Sequence, residues 1–425
     1  MTTSTAQPTE VAYLSDDEAR AKIAEALAKL NLAGKRVLLI VPDSTRTAPV
    51  GLLFKSIHAE IGASVAKLDV MIALGTHPPM SDEAILRRLE ITAEERAGKY
   101  GKVAMLNHDW KNGSALTRLG TISAADIAEL SGGLFSMDVN VDVNSAIFNY
   151  DQLIIVGPVF PHEVVGFSGG NKYLFPGISG AEILNFFHWL GAIITSPRII
   201  GHKWTPVRKV VDRAASLVPV PRFAFCMVVH QHKLAGLYTG TPEEAWTDAA
   251  DHSARVHVLV KPHPYKTVLS AAPLMYDEIW VGAKCMYKLE PVVEDGGELI
   301  IYAPHIAHVS VVHGALIERI GYHTRDYFVK QWDRFKDEPW GVLAHSTHVR
   351  GVGTYENGVE KPRIRVTLAT AIPEDVCRSI NMGYRDPASI NVADYQNRED
   401  EGVLYVPEAG EMLYRLTNPP AWASE

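Results

Sequence analysis

Apolar residues fall along this chain in two alternating rhythms. Continuous apolar runs occur in "GKRVLLIVPD" (residues 34–43), "LDVMIALGTH" (68–77) and "YDQLIIVGPVF" (150–160), and each is bounded by Gly or Pro, as buried β-strands are. Between them "PVGLLFKSIHAEIGA" (49–63) and "SDEAILRRLE" (81–90) space their apolar residues as helices do, the second opening on Ser81 with acidic residues in its first turn. A capped helix is predicted ahead of these, near residues 15–30. Alternation of this kind predicts an α/β fold with a largely parallel sheet.

The pattern changes further on. "FAFCMVVHQHKLAGLYTG" (223–240) reads as a hairpin, and "TPEEAWTDAADHSARVHV" (241–258) as a helix with Thr241 as N-cap. From about residue 262 the rhythm restarts: "DEIWVGA" (277–283) as strand, "KLEPVVED" (288–295) as helix, "GGELIIYAPH" (296–305) and "PRIRVTLATAI" (362–372) as strands. A boundary between 255 and 265 gives an N-terminal α/β domain over 1–260 and a C-terminal α/β domain over 261–402. An active-site cleft is expected between the two domains. The tail 403–425, with "EGVLYVPEAGEMLYRL" at its start, is expected to pack back on the N-terminal domain. The chain contains no internal repeat and no low-complexity segment.

Composition adds bounds. At 425 residues the chain exceeds one domain of roughly 150. Hydrophobic residues at 47% and charged residues at 21% fit a globular fold. A net charge of −8 offers no global attraction to nucleic acid or an anionic membrane, so an acidic small molecule would need a local basic pocket. Three dispersed cysteines, Cys226, Cys285 and Cys377, speak for a reducing compartment and against a disulfide framework. The N-terminal stretch is polar and then amphipathic without an apolar signal core, and no later segment has the length of a membrane span; the expectation is a cytoplasmic protein.

Chemistry collects where the first three strands end. The first runs into "DSTRTAP" with Asp43 and Arg46, the second into "GTHPP" with His77, the third into "GPVFPHE" with His162. Ligands of parallel α/β sheets bind beyond the carboxyl ends of strands, so these groups should share one rim. Arg46 has the planar donors for a carboxylate or phosphate, although Asp43 and Arg46 alone could be a turn and a helix-start ion pair. His77, between Thr76 and Pro78, suits an exposed loop better than a core; His108 in "LNHDW" ranks below it.

"GFSGGNK" (166–172) approaches a phosphate-binding loop but departs twice, with Asn171 before Lys172 and Tyr173 in place of the Mg²⁺-binding hydroxyl. Its glycines, Gly169 and Gly170, would let backbone approach a bulky cofactor. "ISGAEILNFFHWL" (178–190) reads as a helix carrying His188, which alone would pass for a half-buried core histidine.

Taken together, Asp43 and Arg46 in "DSTRTAP", His77 in "GTHPP", His162 and Lys172 in "PHEVVGFSGGNK", and His188 in "NFFHWL" resemble in order and separation the lactate racemase family, enzymes of the nickel-pincer nucleotide. "GAKCMYKLEPVVEDGG" (282–297) is also similar, placing Lys284 at the family's substrate-site lysine. The resemblance implies an isomerase inverting C2 of a 2-hydroxy acid by proton-coupled hydride transfer. It implies a pyridinium-3-thioamide-5-thiocarboxylic acid mononucleotide held by Lys172, with Asp43, Gly169 and Gly170 around it and His188 as the protein ligand to nickel. His77 and His162 would be the acid/base pair, and Arg46 with Lys284 would bind the substrate carboxylate. Supply by cofactor-biosynthesis proteins follows from the same resemblance; oligomeric state stays open.

Before Lys284 the family's lactate enzyme has Tyr and Gln, where this chain has Trp280 and Val281. Loss of that hydrogen-bonding group changes what fits, so the expected substrate is a 2-hydroxy acid other than lactate. His305, His308, His345 and His348 are expected on solvent-exposed loops, the alternative being that they line a more polar pocket. Two other readings compete: a zinc-dependent hydrolase in which His77, His162 and His188 hold the metal, and a non-catalytic carboxylate-binding relative.

Overall fold

A computed structural model describes residues 11–424; the polar residues 1–10 of the N-terminal stretch lie outside them. The first sheet has six strands in the spatial order Lys233–Gly240, Arg222–His230, Gln152–Pro158, Arg36–Pro42, Lys67–Ala73, Met105–Asn107. All its pairings are parallel except the hairpin Arg222–His230 with Lys233–Gly240. The three strands read from apolar runs are adjacent at its centre. Along Arg36–Pro42 the side chains alternate between two cores: Leu38 and Ile40 enter one, Val37, Leu39 and Val41 the other. Burial on both faces is why the strand reads as a continuous apolar run and not as an alternating one.

Expected helices form at Asp16–Ala28, Val50–Ile61, Asp82–Arg88 and Pro242–His257, with Ser15, Ser81 and Thr241 capping the first, third and fourth. The second sheet has five parallel strands in the order Gly383–Tyr384, Arg365–Thr370, Val293–Ala303, Tyr265–Ala271, Val403–Val406.

Two expectations in the second half are corrected. "DEIWVGA" is not a strand: Ile279–Gly282 and Lys284–Tyr287 are short helices, closed by Gly282 N–H to Glu278 O and Ala283 N–H to Ile279 O. Ile279, Val281 and Gly282 are all buried, and a short apolar run does not distinguish a strand from a buried helical turn. "KLEPVVED" is not a helix: a 3₁₀ turn at Glu290–Val292 leads straight into the strand Val293–Ala303, as Pro291 followed by two β-branched residues favours. The tail touches both halves: Val403–Val406 is an edge strand of the second sheet, whereas Leu413–Leu416 pairs with Val258–Lys261, Arg415 donates to Ile200 O and Arg198 donates to Ala421 O.

The helix Ala181–Ile194 joins the two halves. Ile183, Phe186, Phe187 and Leu190 pack into a core of the first sheet, whereas Trp189 and Ala192 pack into the core of the second. Trp189 stacks on Trp332 with ring centroids 5.4 Å apart. Among the described residues no helix is long and apolar enough to cross a membrane.

Candidate active site

Between the sheets lies a cleft of about 1040 Å³ measured out to its mouth. Asp43, Arg46, His77, His162, Gly169, Lys172, His188, Trp280 and Lys284 all line it; Gly170 does not. Residues more than 200 positions apart in the chain, such as Arg46 and Lys284, therefore face one space.

The central strands place the first group. Asp43 follows Arg36–Pro42 directly, is buried, and accepts hydrogen bonds from Thr45 N–H and Oγ1. Its other oxygen lies 2.5 Å from His77 Nδ1. Burial works to raise the Asp43 carboxyl, but the charges and hydrogen bonds of His77, Arg46 and Thr45 prevail and hold it well below the usual carboxylate range. An ionised Asp43 accepts Nδ1–H, so His77 keeps its lone pair on Nε2.

His162 follows Gln152–Pro158 in the two-residue ribbon Pro161–His162 with Gly166–Phe167. Its Nδ1 accepts the Val164 N–H at 3.1 Å. Burial, with Lys172 and Arg46 adding repulsion, lowers its pKa well below the ordinary histidine value.

Lys172 sits in the turn Gly170–Tyr173, and its neighbours fix that turn from outside. Asn171, the residue that breaks the phosphate-loop pattern, donates to Asp212 at 3.0 Å and Glu243 at 2.7 Å and accepts from Arg222 at 2.9 Å. Trp246 donates to Ser168 O, and the buried Arg208 donates to Phe167 O and Gly169 O. Gly169 and Gly170 have φ of 89° and 57°, and a Cβ on them would come within 2.5 Å of Val159 and 2.9 Å of Trp246 respectively. Close packing by protein thus accounts for both glycines. Burial, with Arg46 adding repulsion, lowers the Lys172 amine to about 7.

On the bridging helix, His188 Nδ1 lies 2.7 Å from Leu184 O, which makes Nδ1 the donor and leaves Nε2 a free lone pair on the cleft side. Burial lowers this imidazole to about 4. Across the cleft Lys284 Nζ donates to Thr45 O at 3.3 Å and lies 4.6 Å from the Tyr276 ring centroid.

Other lining residues depart from their expected setting. His345 and His348 are not on loops: they lie three apart on the helix Trp340–Arg350, which packs against Ala181–Ile194, and both face the cleft. His348 is buried, and its Nε2 has no hydrogen-bond partner among the described residues. Trp280 is stacked between His345 at 4.0 Å and His313 at 4.5 Å. Of the other two histidines, His305 is half-buried with Nε2 2.9 Å from Tyr276 O, and His308 is exposed. His108 is buried outside the cleft between Asn144 and Ser179. Glu163, beside His162, also lines the cleft.

Among the described residues no group of three or more His, Cys, Asp or Glu gathers to hold a metal ion, so the three-histidine zinc site does not form. All three cysteines are buried and free.

Residues 19–199 match the lactate racemase N-terminal domain model. A lactate racemase of Thermoanaerobacterium thermosaccharolyticum is 23% identical over 279 residues, 63% of this chain, and one of Lactiplantibacillus plantarum is 26% identical over 169 residues, 38% of this chain. The matched stretches span 60% and 34% of those curated relatives' lengths. A crystal structure of a Thermotoga maritima protein superposes with a TM-score of 0.88 at 31% identity, covering 95% of this chain and 99% of that one. The lactate racemase apoprotein of T. thermosaccharolyticum superposes with a TM-score of 0.71 at 18% identity, covering 95% and 93%.

Fold and cleft define a two-sheet α/β protein whose shared site is furnished with imidazoles and cations. Residues 19–199 carry a lactate racemase N-terminal domain, and the whole chain shares the fold of the lactate racemase apoprotein.

Proposed function

We propose that this chain is a racemase or epimerase inverting C2 of a 2-hydroxy acid other than lactate, working with a nickel-pincer nucleotide. The observation that carries the reading is the convergence of two histidines that follow the strands on either side of Arg36–Pro42, His77 and His162, with Lys172 and a singly anchored His188 in one cleft.

The residues present fit such a cofactor. Lys172 has an amine lowered to about 7, so a large fraction is uncharged at neutral pH and able to hold an acyl or thioacyl group. His188 offers one neutral imidazole nitrogen, a donor suited to nickel, with its orientation set by Leu184 O. When bound, the group would supply a hydride acceptor beside a metal, chemistry that no side chain provides.

The chain's own residues do the rest. Arg46 and Lys284, from opposite walls, bind the substrate carboxylate. His77, with Asp43 behind it, takes the hydroxyl proton from one enantiomer at Nε2; His162 serves the other. Trp280, held between two histidines, bounds the side-chain end of the substrate. A carboxylate-binding protein without catalysis would not require a second imidazole.

The test uses protein made in a host that synthesises the cofactor. Nickel near one per chain, an adduct on Lys172 in the intact mass, and loss of optical purity from single-enantiomer 2-hydroxy acids are expected. Loaded protein that leaves a broad panel of such acids optically pure would overturn the reading.

A further inference from the structure

His77 and His162 have the same task in the proposed reaction, yet only one has an obvious partner. Asp43 holds His77 Nδ1 at 2.5 Å. At His162 two groups reach the same ring nitrogen: the Val164 N–H donates to it at 3.1 Å, and Glu163 Oε2 lies 3.2 Å away at ion-pair distance, not yet aligned as a hydrogen bond. They select opposite forms. A backbone donor requires a lone pair on Nδ1 and puts the proton on Nε2; a carboxylate acceptor requires Nδ1–H.

That difference decides what His162 can do. With Nδ1 accepting from Val164, the neutral ring presents Nε2–H and cannot take a proton there. With Nδ1–H given to Glu163, Nε2 carries the lone pair, and the ring becomes an imidazolium when it accepts a proton. We propose that Glu163 is the positioning residue of His162, taking its Nδ1–H as Asp43 takes that of His77, so that the remaining nitrogen works as base and then acid toward the cleft. The role in turnover rests on the racemase reading; the pairing of the two side chains does not.

The surroundings make such a partner necessary. His162 is faced by Lys172 from its turn, Arg46 from the loop after the first strand, His188 from the bridging helix and Lys288 from the second half, and every one of these opposes a charge on the ring. Burial opposes it more strongly still. Glu163 is the anion next to it, with a side chain 17% exposed, and its charge acts on Arg46, Lys172, Lys284 and Lys288 as well. It lies where the main cleft meets a smaller pocket lined by Lys284, Lys288 and Glu411. Its proton balance is simple: the proton moves between substrate oxygen and Nε2, while Nδ1–H stays shared with Glu163.

The test begins on the full chain without cofactor, with ¹⁵N-labelled histidine and the His162 signals assigned by their loss in His162→Gln. In Glu163→Gln, which keeps the shape and removes the charge, the His162 titration midpoint is expected to fall by about one pH unit. The His77 midpoint should not move. In loaded enzyme the same variant should lose about tenfold or more in kcat with KM nearly unchanged, and Glu163→Asp should recover part of the loss. An unmoved His162 midpoint would overturn the assignment. A midpoint lowered in Glu163→Gln, together with a loaded wild-type enzyme that racemises nothing, would support the pairing and sink the racemase reading instead.

Discussion

Asp43 Oδ2 lies 2.5 Å from His77 Nδ1, while Trp110 Nε1 donates to the His77 carbonyl at 3.1 Å, so ring and backbone are both held. The pair joins the ends of two adjacent parallel strands.

Replacing Asp43 by Asn offers His77 an amide N–H and so favours the tautomer with its proton on Nε2. Turnover should fall about a hundredfold, a typical acid/base contribution, with little loss of folding stability. Initial rates and thermal melting of Asp43→Asn check both.

The roles of the three cleft histidines separate by metal content. His77→Ala and His162→Ala should keep nickel and lose turnover by about a hundredfold or more. His188→Ala should lose the metal, because Nε2 is its free donor. Elemental analysis of the three variants, purified from a cofactor-producing host, distinguishes them; unimpaired racemisation in both base variants would refute their assignment.

Lys172 should be an unusually reactive lysine in the cofactor-free chain, alongside Lys284, whose amine burial lowers further still. With an amine at about 7, Lys172 is half uncharged near neutral pH, whereas exposed lysines are protonated there. An amine-selective acylating reagent should label it half-maximally near pH 7, read by peptide mass mapping, and Lys172→Ala should abolish the cofactor adduct.

Acid should destabilise the fold before its carboxylates titrate. Burial lowers His108 to about 4 and His257 and His348 to about 3. Between those values and about 6.5 the unfolded chain binds more protons than the folded one, so stability rises with pH across this window and is lost as pH falls through it. Urea midpoints at pH 7 and pH 5 should differ by several kcal/mol of unfolding free energy, on the order of 1.4 kcal/mol per histidine per pH unit. His108→Asn should reduce that slope.

Trp280→Ala should raise KM for the preferred 2-hydroxy acid about tenfold, more than it lowers kcat. The indole closes the cleft between His345 and His313, and removing it leaves His345 unstacked. Kinetics across acids of increasing side-chain size give the measure.

What was legible in the sequence follows from local rules. Asp43, His77 and His162 could be placed because parallel strands announce themselves as apolar runs and their carboxyl ends converge. Lys172, His188 and Lys284 needed the family resemblance, since spacing alone fitted other readings. His345 and His348 read as loop residues because their helix, "WGVLAHSTHVR", is buried on most sides and shows no clean polar face, while its packing partner lies some 150 positions earlier. Glu163 was hidden by proximity: beside His162 in the chain it looks like an ordinary loop acid, and only side-chain positions show which ring nitrogen it meets. The misread segment at 277–283 is a case where hydrophobicity fixed burial but not backbone shape.

The bridging helix has a consequence for how anything enters. Its residues are stitched into a core on each side, so parting the two halves there means pulling Trp189 and Ala192, or Phe186 and Leu190, out of contact. Across the cleft the halves meet through single polar touches, Lys284 on Thr45 at 3.3 Å and Thr47 on Met275 at 3.7 Å. The molecule is therefore built like a book: His188 stands at the spine, and Lys284, to which the proposed reaction gives the substrate carboxylate, stands at the fore-edge.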